Sequence, residues 1–434
     1  MNSVAIIGAG ISGLSAAYYA SKAGCQVVLY EPNELGGVVR TAHIDGFTLE
    51  RGPNVLLERP ELWDLLSGIG MEAQVVFPII ARYKQHVWFN GAVCQVPRSP
   101  FKLFSTPLLP RRLKWSLPYV LLKKGLAAPT AEDESVSTYF SRFLGKEVVS
   151  NLLGPALQGI YGGDVTKLSA RTIFPELWEA TKGGSSLLAY AKTKKARRTL
   201  VFRRGMSSLI EAIEISLRGK IEIVRQAVTS LRCLEKGRFE VTTQGAETRA
   251  YNRVIVTTSG YSSAGFLAAM EPEAADALRG LRFAPIVVVH VSVPATEPVP
   301  ADSFGVLFPA GHPDALLGVM FNSILFPHTA PVGQHLLTVC LGGINGVRIL
   351  ERSDDEIHAI VRRELAERLS LKSMQVLAVQ RWEHAIPQYE VGHWKLVEKL
   401  HKLEATYPGL TFLGADLGGV GVPDRIKAAK GLFA

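Results

Sequence analysis

The sequence predicts an α/β protein whose first sheet is assembled from separated parts of the chain, with an antiparallel-sheet domain and a basic helical insertion between them. Three observations predict it. The chain opens with an apolar run, a glycine turn and a small-residue helix, VAIIGAGISGLSAA. A second apolar strand running into glycines, TFLGADLGGVGVPDRI from Thr411 to Ile426, stands at the far end. Between them lie one segment rich in cations and one of alternating strands.

Val4 to Ile7 reads as a strand, Ile11 to Ala23 as a helix and Gln26 to Tyr30 as a second strand ending at Glu31, a βαβ unit. Gly8, Gly10 and Gly13 form GxGxxG at the strand-to-helix junction. The first glycine permits the tight turn, the second admits a pyrophosphate and the third lets helix and strand pack closely. The helix start at Ile11 and Ser12 then faces negative charge, and Glu31 is placed to accept from ribose hydroxyls. Further strands run from Ile221 through Phe239–Thr243 to Arg253–Ser259, with another at Leu410–Ala415. These pieces are expected to join in one sheet.

The expected division is a discontinuous nucleotide-binding domain (1–60, 200–263 and 381–434), a substrate domain (61–85 and 264–380) and a basic helical domain (86–199). Helical periodicity is long in VSTYFSRFLGKEVVSNLLGPALQGI. IVVVHVSV and HLLTVCLGG read as antiparallel strands able to wall a pocket.

With 434 residues, 47% hydrophobic and 20% charged, the chain is expected to hold two or three domains. Cys25, Cys94, Cys233 and Cys340 are too scattered for a CxxC or zinc pattern and read as reduced core residues, with no metal site. No basic region and apolar signal core precede the first strand, and no apolar run approaches the roughly 20 residues needed to span a bilayer. A cytoplasmic protein is expected.

The charge is uneven. Ala73–Ala131 has nine Lys or Arg and no acid, and Ala180–Ile210 has eight and no acid, so against +9 overall the remainder is −8. In RSPFKLFSTPLLPRRLKWSLPYVLLKKG the cations alternate with Phe101, Leu103, Phe104, Leu108, Leu109, Trp115, Tyr119 and Leu121. That mixture suits the surface of an anionic membrane, here its inner face, better than nucleic acid.

ELGGVVRT, with Gly36, Gly37, Val38 and Arg40, matches the doublet extension of flavoprotein oxidases and desaturases, and so points to FAD rather than NAD. A flavin also gives the C-terminal turn a use. Negative charge develops at the N1/O2 edge of a reduced flavin, and amides at a helix start stabilise it. Gly414, Ala415 and Asp416 would close the ribityl side, while Val420, Gly421 and Val422 present amides to the isoalloxazine. No flavin-linking Cys or His motif is recognised, so the FAD is expected to be non-covalent.

Together with ERGPN (Glu50–Asn54), LQGIYGGDVTKLSARTIFPELW, FGVLFP, FNSILFP and IPQYEVGH, these motifs make the chain resemble the oxygen-dependent protoporphyrinogen oxidase family, including its coproporphyrinogen-oxidising relatives, along nearly its whole length. The resemblance implies an FAD-binding Rossmann-like domain of the amine oxidase/glutathione-reductase type. It implies removal of six electrons from a porphyrinogen in two-electron steps, with oxygen giving hydrogen peroxide. It also implies that Gly52, Pro53, Asn54 and Val55 lie along the flavin, that Val228 offers backbone to adenine and that Trp382 joins the cofactor site. Phe304, Leu307 and Cys340 would wall the substrate, with the backbone of Gly162 and Gly163 near its reacting side.

Where many relatives carry a propionate-pairing arginine this chain has Gln85, so Arg82, Lys84 or Arg98 would supply the cation. The position of Cys340 often holds a larger apolar residue. His384 and His393 read as structural. Ferrochelatase or a second copy of the chain are the protein partners the resemblance admits. Rival readings are a flavin amine oxidase or carotenoid desaturase and, outside catalysis, a prenyl-binding protein of the GDP-dissociation-inhibitor kind.

Overall fold

The computed structural model describes residues 3–97, 102, 105–194, 196–234, 237–309 and 314–433. A five-stranded parallel sheet runs Glu222–Val224, Gln26–Tyr30, Ser3–Ile7, Arg253–Val256, Leu410–Phe412. Beyond their first residues its central strands are apolar because both faces are covered. On one side lie the helices Ile11–Lys22, Ser207–Leu217 and Val422–Gly431, with Leu14, Ala17, Ile213, Ile426 and Ala429 in a shared core.

The strand Phe239–Thr243 is not part of this sheet, contrary to the expectation of one sheet. It pairs with Val228–Cys233 and Thr248–Tyr251 in a separate antiparallel layer. The reason is visible in its burial, which alternates: Phe239, Val241 and Thr243 are buried while Glu240 and Thr242 are not. A strand with one wet face belongs in a covering layer, and a central parallel strand has none.

The second sheet has seven strands, in the order Gln375–Pro387, Phe283–Pro294, Gln334–Gly342, Leu316–Met320, Ser303–Leu307, Lys84–Phe89, Ala92–Gln95. IVVVHVSV and HLLTVCLGG do pair antiparallel. The sheet is mixed, however, because Ser303–Leu307 runs parallel to Lys84–Phe89. One face carries Val287, Val289, Val291 and Val339 against Ile357, Val361 and Leu365 of the helix Asp354–Leu369. The other face packs in part on the hairpin Thr41–Ile44 and Phe47–Glu50, with Leu336 against Phe47 and Leu49. Lys84–Phe89 crosses the boundary drawn between residues 85 and 86, and Gln375–Pro387 crosses that between 380 and 381.

The basic insertion is helical and has its own aromatic core of Tyr139, Phe140, Phe143 and Trp178. The long helical run is broken. Val136–Leu144 stops at Gly145, whose φ of +86° no other residue adopts easily, and a π turn at Val149–Leu153 precedes the helix Gly154–Tyr161. Among the described residues no helix is long and apolar enough to cross a membrane.

Candidate flavin and substrate site

The first glycine turn is shaped by close approach. Gly8 has φ +102° and donates its N–H to Tyr30 O at 2.8 Å. A Cβ on Gly13 would lie 1.9 Å from Gly8 O, whereas one on Gly10 would meet no atom within 4 Å. Gly13 therefore lets strand and helix touch, and Gly10 leaves a cradle open toward a ligand. Ile11 and Ser12 are buried at the helix start. Glu31 accepts from Ala9 N–H at 2.9 Å and Asn33 N–H at 3.0 Å, which fixes its carboxylate beside the turn. Val228 begins the covering layer, four residues beyond Val224, whose carbonyl accepts from Glu31 N–H.

The Gly-Gly doublet packs on this turn. Gly36 donates to Ala9 O at 2.8 Å and bridges Gly10, and a Cβ on Gly37 would sit 3.4 Å from Gly10 Cα. A Cβ on Gly52 would lie 1.9 Å from Val38 O, so the two flavin segments read from sequence lie against each other. Val38 is exposed, and Pro53 and Val55 are half-buried. Arg40 donates to Gly37 O at 2.9 Å and lies over the Trp382 ring, 6.0 Å from its centroid. Trp382 Nε1 donates to Arg51 O at 2.6 Å, and Asn54 Oδ1 accepts from Asn322 Nδ2 at 3.2 Å. Asn322 Oδ1 in turn accepts from the Thr338 hydroxyl at 2.8 Å. These bonds tie the nucleotide-binding segments to the open face of the seven-stranded sheet.

That face carries one apolar rung: Leu307, Gly318, Cys340 and Val288 lie side by side across four strands. Leu307 reaches the basic insertion, its Cδ2 2.6 Å from where a Cβ on Gly159 would stand. Cys340 sits among Ile286, Val288, Leu317 and Trp382, and burial pushes its thiol up to about 11. Phe304 is turned aside, against Tyr83 with ring centroids 5.4 Å apart, and packs on the nucleotide-binding core. The pairing of its strand is irregular between Ser303 and Val306.

Gly162 caps its helix with φ +59°, and its carbonyl accepts from Ile344 N–H at 2.7 Å; Gly163 leaves room for Gln388 Oε1, 2.7 Å from where its Cβ would be. Of the residues named near the carboxylate edge, Lys84 is engaged by Asp302 at 2.5 Å, Gln85 and Arg82 are exposed, and Arg98 lies outside the described residues. Lys84 is thus no free cation. The buried Glu50, pushed up to about 7 by desolvation, accepts from the Thr41 hydroxyl and Met206 N–H.

The C-terminal turn is braced by side chains. Arg425 donates to Gly414 O and Gly418 O, Tyr389 donates to Ala415 O, and His393 Nε2 lies 2.7 Å from Asp416 O. The N–H groups of Gly419, Val420, Gly421 and Val422 have no hydrogen-bond partner among the described residues. Unpaired amides at a helix start fit an electronegative ring edge. A cavity of about 1280 Å³ opens beside this turn, lined by Trp63, Phe174, Tyr190, Arg197, Gly419 and Lys427 among others. Phe304, Leu307 and Cys340 do not line it. His384 packs its ring on Tyr261, with centroids 4.5 Å apart.

The roles of Asn322, Thr338, Tyr389 and Arg425 were not read from sequence. Their signal was present, since FNSILFP, HLLTVCLGG, IPQYEVGH and the PDRI end of the last motif contain them, but no partner could be assigned.

The sequence profile of the flavin-containing amine oxidoreductases matches residues 11–430. The chain belongs to this family. Coproporphyrinogen III oxidase of Bacillus subtilis (strain 168) is 29% identical over 98% of this chain and 96% of its own. Protoporphyrinogen oxidase 2 of Arabidopsis thaliana is 28% identical over 98% and 92%. The crystal structure of an Exiguobacterium sp. 255-15 protein, provisionally named a protoporphyrinogen oxidase, superposes with a TM-score of 0.82 at 25% identity, covering 100% of this chain and 98% of that one. The cofactor of this family member is FAD and its activity that of an FAD-dependent oxidoreductase, and the two glycine turns fit that cofactor.

Proposed function

We propose that this oxidoreductase oxidises a porphyrinogen with oxygen as acceptor, taking protoporphyrinogen IX to protoporphyrin IX and forming hydrogen peroxide, in porphyrin and heme biosynthesis. The observation that carries this reading is the near-full-length likeness to relatives named for that chemistry. Because the Bacillus relative is named for coproporphyrinogen III, that substrate is the second reading. Bound FAD supplies the two-electron chemistry; the residues of the chain hold and orient.

In this reading the rung Leu307, Gly318, Cys340 and Val288 forms the apolar wall, and the missing side chain of Gly318 keeps it flat enough for a wide ring. With Lys84 engaged by Asp302, Arg82 is the described residue left to meet a carboxylate at the mouth. The test is turnover of each porphyrinogen in air, with peroxide formed in proportion to porphyrin fluorescence, followed by an anaerobic half-reaction with each. Leu307→Asp should abolish turnover while FAD stays bound, since it sets an unpaired carboxylate on the wall. Oxidation of a primary amine or polyene, with porphyrinogens untouched, would overturn the reading.

We propose also that the protein attaches peripherally to the inner face of an anionic membrane. On the helix Arg111–Leu122, Leu113 and Val120 face the core while Trp115 (83% exposed), Tyr119 (54%) and Leu122 (61%) point outward beside Arg111, Arg112 and Lys123. Leu108 and Leu109 are buried instead, and Phe101, Leu103 and Phe104 lie outside the described residues. Co-sedimentation with anionic vesicles should be lost in Trp115→Ala and weakened by salt; equal partition with neutral vesicles would defeat the idea.

A further inference from the structure

We propose that Tyr389 and His393, from the IPQYEVGH segment, are positioning residues that tune the bound flavin by holding the C-terminal turn with its amides outward. The inference rests on the reading that Val420–Val422 face the isoalloxazine ring.

The geometry points to this role because the carbonyls of Gly414, Ala415, Asp416 and Gly418 are each held by a side chain. The Tyr389 hydroxyl donates to Ala415 O, and His393 to Asp416 O at 2.7 Å. Arg425 holds Gly414 O and Gly418 O on either side of them. A carbonyl only accepts, so Nε2 of His393 carries the proton. Burial lowers the pKa of this imidazole and keeps it neutral, and Nδ1 is buried without a partner. The Tyr389 phenol is almost wholly buried, and desolvation raises its pKa well above the ordinary value, so it remains a donor. The carboxyl of Asp416 lies close against Gly260 at the start of the helix Gly260–Leu267, its Oδ2 3.1 Å from where a Cβ on Gly260 would stand.

With these four carbonyls committed, the turn offers the amides of residues 419–422 as a fixed positive row. Fixed dipoles of this kind stabilise charge that develops on reduction without reorganising. Losing one brace lets a carbonyl swing and the row disperse. Reduced, negatively charged flavin should suffer more from this than oxidised flavin.

The experiment measures the midpoint potential of bound FAD by equilibrium reduction against reference dyes, together with the visible spectrum and the FAD Kd. His393→Ala and Tyr389→Phe should each lower the potential and raise the Kd about five- to tenfold. His393→Gln, whose amide can still donate to Asp416 O, should restore most of both. If the Ala and Phe variants keep the wild-type potential and spectrum while melting earlier, the two residues are structural only and the proposal falls.

A second pair of variants tests the underlying reading. Gly421 has φ −73°, which proline tolerates, so Gly421→Pro differs from Gly421→Ala chiefly by one missing N–H. Equal potentials in this pair would show that the turn does not meet the flavin, and the reading beneath the proposal would fail. A difference there, with unchanged His393 and Tyr389 variants, would sink the positioning role alone.

Discussion

The two glycine turns are held in shape by different means. Gly8–Gly13 is wedged between parallel strands, and its shape follows from a positive φ at Gly8 and a backbone contact that only glycine at residue 13 allows. Gly414–Val422 has no such wedge. Gly418 and Gly419 give it positive φ values, but its carbonyls are held by the side chains of Tyr389, His393 and Arg425. Close backbone contact dominates the first turn; side-chain braces dominate the second.

The largest effect that could break this contrast is expected at the first turn. Gly10→Val and Gly13→Val should both yield protein without FAD, but for separable reasons. A side chain at residue 10 meets no atom of the chain and only fills the ligand's space, so the apoprotein should melt near the wild-type temperature. One at residue 13 runs into Gly8 O, and unfolding should show a loss of about 3 kcal/mol or more. Equal melting temperatures in the two variants would mean that close packing does not shape the turn.

A smaller effect should distinguish the second turn by its pH response. Burial raises the Asp416 carboxyl from 3.8 to about 7, so between those values the fold keeps a proton that the unfolded chain releases. Stability from this group is full below pH 3.8 and is lost as pH rises through 7, by about 1.4 kcal/mol per pH unit at most. Glu50, raised from 4.5 to about 7, adds a slope of the same sign. The thermal midpoint should therefore fall between pH 5 and 7, and Asp416→Asn should flatten that fall. An unchanged slope in the variant would remove Asp416 from the account. The Gly8–Gly13 turn itself contains no titratable side chain.

The smallest effect concerns the hydroxyl that touches the first turn. Thr257 donates to Ile7 O at 2.9 Å and Gly8 O at 2.8 Å. Thr257→Val should cost about 1 kcal/mol and leave FAD affinity nearly unchanged. A large loss of affinity would show that the first turn, too, depends on a distant side chain.

The same contrast explains what could be read in the sequence. GxGxxG, Glu31 and the Gly-Gly doublet were legible because each requirement is met within a few residues of chain. The alternation in FEVTT told how many faces are buried but not which sheet the strand joins, and Phe239–Thr243 went to the covering layer. A basic run shows its charge but not its ion pairs, so Asp302 beside Lys84 was invisible. Tyr389 and His393 stood in a segment recognised as distinctive, yet nothing in it names the carbonyls they hold. Phe304 was assigned by position in a motif, which does not name Tyr83, the ring it packs against.

The order of the strands has a consequence for synthesis. Leu410–Phe412 completes the parallel sheet beside Arg253–Val256, and the helix Val422–Gly431 covers the helix Ile11–Lys22. Translation makes the helix Ile11–Lys22 hundreds of residues before the helix Val422–Gly431, and leaves part of its apolar surface uncovered until that partner emerges. A nascent chain stalled before Val422 would carry the first glycine turn with one side of its helix bare. That apolar surface must be shielded from aggregation while it waits.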